Sequence, residues 1–384
     1  MANDLTNVMH KILARGLMSL RETVLLTQLV NTDYSSEAAK KGDVINVPVP
    51  TSIGVIDVVP GVTDPTPVDK TPGTVAIPLD NWKQNEPFHL TDKQQAEVSK
   101  NEHFLPMYVT ESLRALAGSI NQTVLAQYTG VYGYVGTAGT TPFGSTVADA
   151  VQARKVLNAQ LCPRRDRRMV LDHEGEANAL ALSAFSDFEK TGEQNAKIHG
   201  VLGTKYGFDF FADDDIPTHT VGTAFAKTVT LISNSAVGDA TVTLGVDIGT
   251  ATVVEGDIIT IAGDLQTYVV TADATLNTSG VAVAISPTLA IAVNGSGTPV
   301  AVTLKDSHTV NLAFHRDAFA LALRPLENSS VASASANIAV MSDPLTGLSL
   351  RLEVRRQHKQ DAWEFDALWG TKLVRPELAC RVVG

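Results

Sequence analysis

Residues 101–128 read NEHFLPMYVTESLRALAGSINQTVLAQY. Apolar side chains fall at Leu105, Val109, Leu113, Leu116, Ile120 and Val124, in steps of three and four, which lays one continuous stripe along a helix. Pro106 is tolerated only near a first turn, so the regular helix is predicted to begin beside it. From there to Tyr128 is roughly 24 residues, or about 35 Å at ~1.5 Å per residue. Glu111, Arg114, Asn121 and Gln122 are assigned to the wet face. A helix this long reads as a spine, with extended sequence before it and compact sequence after it.

The extended part begins at 43–60, DVINVPVPTSIGVIDVVP, where Val and Ile alternate among prolines. Those prolines forbid a central strand and suit an edge or an isolated ribbon. A turn-rich tip, GVTDPTPVDKTPG at 61–73, leads to the return strand TVAIPLDNWKQNEPFHL at 74–90. Two such strands make a hairpin reaching roughly 50 Å at ~3.3 Å per residue. A lone two-stranded ribbon is barely stable in water, and nothing nearby in the chain covers it. It is expected to lie on a neighbouring subunit, with Val55, Val58, Asp64, Lys70 and Trp82 as candidate inter-subunit contacts. Ahead of it, residues 5–30 carry a helical pattern, with Val8, Ile12 and Leu13 on one face and Lys11 and Arg15 off it. A membrane-surface helix wants more basic residues and a bulkier apolar face, so this is read as an arm docking on its own protein or on a neighbour.

After the spine, the Gly- and Thr-rich stretch 132–144 has no G-K-[ST] and no strand leading into it, and is not read as a phosphate loop. Ser145 is predicted to cap a helix through Gln160, with Val147, Val151, Arg154 and Leu157 spaced at its turns. PRRDRR at 163–168 is the densest basic cluster, and Arg164, Arg165, Arg167 and Arg168 form a candidate basic loop. Contact with nucleic acid or an acidic partner is one reading; a solvated loop paired with nearby acids is the simpler and favoured one. A strand at 169–171, a helix at 174–183 and a strand at 208–212 follow, then three consecutive aspartates at 213–215.

Near Ala224 the composition shifts to Val, Ala, Thr and Gly, and no arginine occurs between Arg168 and Arg316. Short alternating runs at 228–232, 257–261, 266–270, 281–285 and 300–304 predict a small antiparallel barrel or sandwich inserted into a chain that resumes afterwards. The resumed part gives a strand pair or strand and turn from 310, a strand at 348–357, and closing strands at 361–368 and 370–383. The fold class is α+β with an inserted all-β domain.

The net charge of −11 over 384 residues argues against a sequence-independent DNA binder, whose affinity comes from clustered Lys and Arg. Two cysteines, Cys162 and Cys380, stand far apart with no C-x-x-C between them. No signal-peptide pattern opens the chain and no run approaches ~18 apolar residues, so neither export nor a membrane span is expected. His173-Glu174 lacks the second histidine of H-E-x-x-H, because position 177 is alanine. Asp213 to Asp215 read as a solvated acidic turn, since neighbouring strand residues point to opposite faces. No nucleophile elbow is present. The chain is therefore read as a non-enzyme with no cofactor and no metal.

These residues resemble the major capsid proteins of tailed bacteriophages, with the HK97 fold and closest to the P22-type coat proteins. The likeness is carried by LTNVMHKILARGLMSL, KKGDVINVPVP, IPLDNWKQNEPFHLTDK, GFDFFADDDIPTHT, NLAFHRDAFALALRPLE and GLSLRLEVRRQHKQDAWEFDALWGTKLVRPELACRV, in that order. It implies an HK97-like division: an N-terminal arm at 1–42, an E-loop hairpin at 43–90, a peripheral domain with the spine helix at 91–144 and an axial domain at 145–223. An inserted β-barrel domain at 224–306, an axial return at 307–347 and peripheral closing strands at 348–384 complete it. It further implies hexamers and pentamers of an icosahedral shell, a scaffolding protein, a portal protein, and enclosed double-stranded DNA bound without sequence specificity. The location implied is the virion, assembled in the bacterial host cytoplasm. Some members of the wider fold cross-link a hairpin lysine, for which Lys70 is the candidate position. A β-rich phage tail or adhesin-type binding protein is the alternative function.

Overall fold

Two units divide the chain. One draws on Met1–Met18, Thr32–Ser112 and Ala320–Val374, the other on Ser19–Asn31, Leu113–Phe319 and Arg375–Gly384. The structure, a computed structural model, describes residues 12–14, 16–18, 20, 25–32, 40–49, 54, 55, 57, 58, 60, 71–94, 107–186, 200, 202–327, 337–342 and 348–384.

The first unit is organised on the strand Gln360–Leu373. One of its edges pairs antiparallel with Ser349–Gln357, matching Leu352 to Phe365 and Val354 to Trp363. Its other edge takes Phe88–Thr91 opposite residues 360–363 and Asn81–Gln84 opposite residues 366–369. Between those two short strands buried Asn85 repairs the ladder, accepting from the Phe365 backbone N–H at 2.6 Å and donating to Ser112 Oγ at 3.0 Å. Alternation sorts the faces. Leu350, Leu352, Val354, Trp363 and Phe365 are buried together, and Arg351, Glu353, Arg355, Glu364 and Asp366 stand on the reverse side. There Glu353 lies directly opposite Glu364, and Arg355 bridges both, at 3.1 and 2.5 Å. Like charges across a ladder would otherwise destabilise it.

The second unit holds a seven-stranded mixed sheet in the order Gly133–Gly136, Ala379–Val383, His308–His315, Arg167–Leu171, Phe208–Ala212, Thr204–Lys205, with Thr218–His219 pairing on His308–His315. It also holds a closed six-stranded barrel: Val229–Leu231, Thr241–Val246, Val281–Ser286, Thr267–Val270, Ile258–Ile261, Val300–Leu304. Its core is Val, Ile and Leu with Tyr268 at full burial. The Tyr268 hydroxyl donates to Asp264 at 2.5 Å and accepts from the Ala290 N–H at 2.9 Å.

The spine helix is Met107–Leu125, and a 3-10 turn at Ala126–Gly130 takes over before Tyr128. Val109, Leu113, Leu116, Ile120 and Val124 are buried; Leu105 lies outside the described residues. Asn121, expected on the wet face, is only 5% exposed, because it turns in to donate to Asp213.

Three other expectations are corrected. The helix expected from Ser145 is Ala148–Ala159, and its buried face is Ala150, Ala153 and Leu157 while Val151 is exposed. Small residues fit because this helix packs on the strands Gly133–Gly136 and Ala379–Val383. The break expected at Gly370 is absent, and the strand runs through it. Pro78 explains the glycine, since a Cβ at 370 would collide with its carbonyl oxygen. Finally, residues 375–384 do not group with the strands at 348–373, because Ala379–Val383 pairs with His308–His315 and Gly133–Gly136 in the second unit.

Candidate assembly surfaces

The ribbon is real over its root. Val44–Val49 pairs antiparallel with Gly73–Pro78, from Val44 opposite Pro78 to Val49 opposite Gly73. Ile45 and Val47 pack beside buried Ile77, Leu79, Ala320, Ala322 and Leu368, so the root is anchored in its own unit. Val44 and Asn46 on the reverse face are wet. Farther out, Val55 is 99% and Val58 92% exposed. Asp64 and Lys70 lie outside the described residues. Trp82, on Asn81–Gln84, is half exposed while its Nε1–H donates to Asp366 Oδ2 at 3.0 Å. The tether holds a partly exposed indole in place. Burial pushes the Asp366 carboxyl up, and the Trp82 hydrogen bond and Arg351, 3.0 Å away, oppose that shift.

The four arginines of the basic loop do not act together. Arg167 is 3% exposed and donates to the carbonyls of Pro163 and Cys162, both at 2.7 Å, and to Asn158 Oδ1 at 2.9 Å. It clasps the loop from inside and is not a surface group. Arg168 is half-buried and donates to the Leu29 carbonyl. Only Arg164 and Arg165 face solvent, beside Leu161, which is 89% exposed.

Sequence reasoning missed how the barrel is seated. Arg381, fully buried, donates through Nε to the Val131 carbonyl at 2.9 Å, through Nη1 to the Gly256 carbonyl at 2.8 Å, and through Nη2 to the Thr129 carbonyl at 3.3 Å. Its guanidinium also lies over the Tyr128 ring, 5.0 Å from the centroid. One side chain thus joins a sheet strand, the turn after the spine and a barrel turn. Burial lowers its pKa to about 10, and nearby Tyr128 and Asp257 partly offset this.

Beside it, buried Asp257 accepts from the Val254 N–H at 2.9 Å and lies 2.9 Å from His219 Nε2. A carboxylate only accepts, so Nε2 carries the proton and Nδ1 receives the Tyr128 hydroxyl, 3.1 Å away. His308 faces His219 at 5.4 Å between rings, and its buried Nε2 has no hydrogen-bond partner among the described residues. Burial pushes its pKa down to about 4. An apolar patch of Tyr132, Ile258 and Val269 closes the joint. A signal was present in the sequence: one arginine set among the apolar residues of LACRVV.

Three of the expected acids and histidines sit near one another without forming a metal centre. His173 begins the helix His173–Ala181, and its Nε2 lies 3.3 Å from Asp214. Asp213 is buried, contrary to the solvated turn expected, because Asn121 and the Asp215 N–H, at 3.2 and 2.8 Å, satisfy its oxygens. Among the described residues no group of three or more His, Cys, Asp or Glu is placed to hold a metal ion. Both cysteines are buried and free. No described helix is long and apolar enough to cross a membrane.

No family model matches the chain, and no curated protein matches it. Among solved structures it is similar to one of Mycobacterium phage Che8, at 15% identity and a TM-score of 0.46, over 93% of this chain and 90% of that one. It is similar to a virus-like particle from Pyrococcus furiosus at 8% identity and a TM-score of 0.43, covering 97% and 98% of the two chains. A capsid of an empty GTA particle is similar at 11% identity and a TM-score of 0.43, covering 94% and 89%.

Proposed function

We propose that this chain is a structural subunit of a closed icosahedral shell, the capsid that encloses the double-stranded DNA of a tailed phage. The observation that carries the reading is the ribbon: rooted in its own unit, it is followed past its paired strands by Val55 and Val58, which are almost completely exposed. A two-stranded element with wet apolar residues is stable only when something else covers it. Identical neighbours supply that cover at every position of a shell. Overlapping ribbons and arms together bury several thousand Å² per subunit, a total in the obligate range of ~2,000–5,000 Å², while each single contact stays weak enough to correct errors.

In this reading residues 1–42 form an arm, 43–90 the reaching hairpin with Val55, Val58, Asp64, Lys70 and Trp82 as its contacts, 145–223 an axial domain, and 224–306 the insert. Copies group as hexamers and pentamers around a scaffolding protein, with a portal at one vertex. The acidic balance of −11 suits a lumen that must let DNA enter and leave. Negative-stain microscopy of the chain expressed with and without its scaffolding partner tests this. Closed shells or tubes of hexameric and pentameric units are expected; a small monodisperse species in both samples overturns it and favours a tail or adhesin-type binding protein.

A further inference from the structure

We propose that the exposed arginine tip of one copy, Arg164 and Arg165, seats in the acidic pocket of the next copy, formed by Asp213, Asp214, Asp215 and Asn121. This contact rests on the shell reading above and gives it a direction around the ring.

The pocket has a volume of about 440 Å³, and among the described residues in its walls three carboxylates stand with one cation, Arg114. Asn121, which lines the pocket, is the second feature. It is 5% exposed, its Nδ2 donates to Asp213 Oδ2 at 3.2 Å, and its enclosed Oδ1 has no hydrogen-bond partner among the described residues. A small shift of this side chain would present an unpaired acceptor to a donor in the pocket. Asp213 adds excess negative charge beside it: burial holds its carboxyl above the usual range, and the nearby Asp215 and Asp214 charges add to the shift. The remaining contacts are modest: Asp215 Oδ1 accepts from Gln122 Nε2 at 2.9 Å, and Asp214 is near His173. The carboxylates are too spread to close on one metal ion. A guanidinium, planar with five donors, spans separated acceptors where a point cation does not.

The tip is built to be that donor. Arg164 and Arg165 are exposed and make no hydrogen bond or ion pair with a described residue. The loop beneath them is held in shape by the three bonds of Arg167. Preorganisation of this kind lowers the ordering cost of docking.

Topology forbids the tip and pocket of one copy from meeting. Arg167–Leu171 and Phe208–Ala212 are adjacent parallel strands, with Arg168 opposite Asp209 and Leu171 opposite Ala212. The tip precedes the first strand and the acidic turn follows the second, so they lie at opposite ends of the pair, roughly 15 Å apart at ~3.3 Å per residue. Two different patches on one chain make a heterologous contact, which closes into a ring when the rotation allows.

The test uses charge reversal on the full chain: R164E with R165E, D214K with D215K, and all four together. Asp213 and Asn121 stay untouched because they are buried. Expected, by sedimentation and microscopy, is a tenfold or greater loss of ring or shell yield for each reversed pair, and recovery in the fourfold variant. Mixing the two reversed chains should also restore six-membered rings and tubes built of them, in which the chains alternate and each offers the other an opposite charge; a misfolded chain would not be rescued. Wild-type assembly with unaffected variants, or losses that neither combination nor mixing recovers, overturns the contact and leaves the shell reading standing. A wild-type chain that forms no ring or shell overturns both.

Discussion

The barrel and the ribbon are both antiparallel β-structure rich in valine and threonine, yet they stand at opposite ends of self-sufficiency. In the barrel every strand finds two neighbours and the alternation has an inside, filled by Ile259, Tyr268, Val283 and their companions. In the ribbon each strand has one neighbour, and only the face holding Ile45 and Val47 meets a core. Pro48 and Pro78 withhold backbone donors there, which blunts an edge that would otherwise recruit strands indiscriminately. Similar composition therefore yields a finished object in one place and an unfinished one in the other, and the difference lies in closure.

The largest expected effect isolates the two. A fragment of residues 224–306 should unfold cooperatively by circular dichroism, whereas a peptide of residues 43–90 should show no cooperative transition. A barrel fragment without dispersed amide resonances would break the comparison. Next, Arg381→Met strands the carbonyls of Thr129, Val131 and Gly256 in a buried joint and should cost on the order of 3–5 kcal/mol. Hydrogen exchange should then rise at 128–132 while the barrel interior, including Val283, keeps its protection. Uniform deprotection would contradict a self-sufficient barrel.

The same joint carries a pH dependence. His308 is held at about 4 when folded, against ~6.5 when unfolded. Between those values the unfolded chain binds a proton that the folded chain does not, so stability is full above pH ~6.5 and falls as pH drops toward 4, by up to ~3 kcal/mol. The titratable groups facing it are Arg381, His219 and Asp257. Denaturation midpoints of His308→Gln should be flatter across that window than those of wild type. Within the barrel, Tyr268→Phe unpairs Asp264 Oδ2 and the Ala290 N–H and should cost about 1–2 kcal/mol in thermal denaturation. Smallest in stability, Val55→Asp with Val58→Asp should move the unfolding free energy by no more than ~0.5 kcal/mol, yet abolish shells in the microscope. Normal shells from that variant would remove the ribbon from the assembly contacts.

Periodicity made much of this legible. The runs at 257–261 and 300–304 are strands within a residue of their expected bounds, as Ile258–Ile261 and Val300–Leu304, because half-buried strands must alternate. Thr241–Val246 escaped notice, since Gly245 interrupts its pattern; in the structure Ile232 stands against that glycine, so no side chain is needed there. Arg167 turns inward onto its own loop, with partners four to nine positions back. Asn121 is buried for another reason. A polar residue type predicts exposure only until a partner from a distant segment arrives, and Asp213 is 92 positions away from Asn121. Arg381 is the extreme case, with a partner 250 positions upstream. Local patterns carry no trace of such meetings.

The position of Ala379–Val383 sets a timetable for synthesis. This strand slots between Gly133–Gly136 and His308–His315 and brings Arg381 to the joint. The barrel is spelled by one uninterrupted stretch and can close while the ribosome is still working. The sheet that carries it waits for residues translated long after both its flanking strands. A nascent chain therefore holds a finished barrel on an open sheet for an interval, and a chaperone that shielded the vacant slot would protect the step at which the subunit is most exposed to wrong pairing.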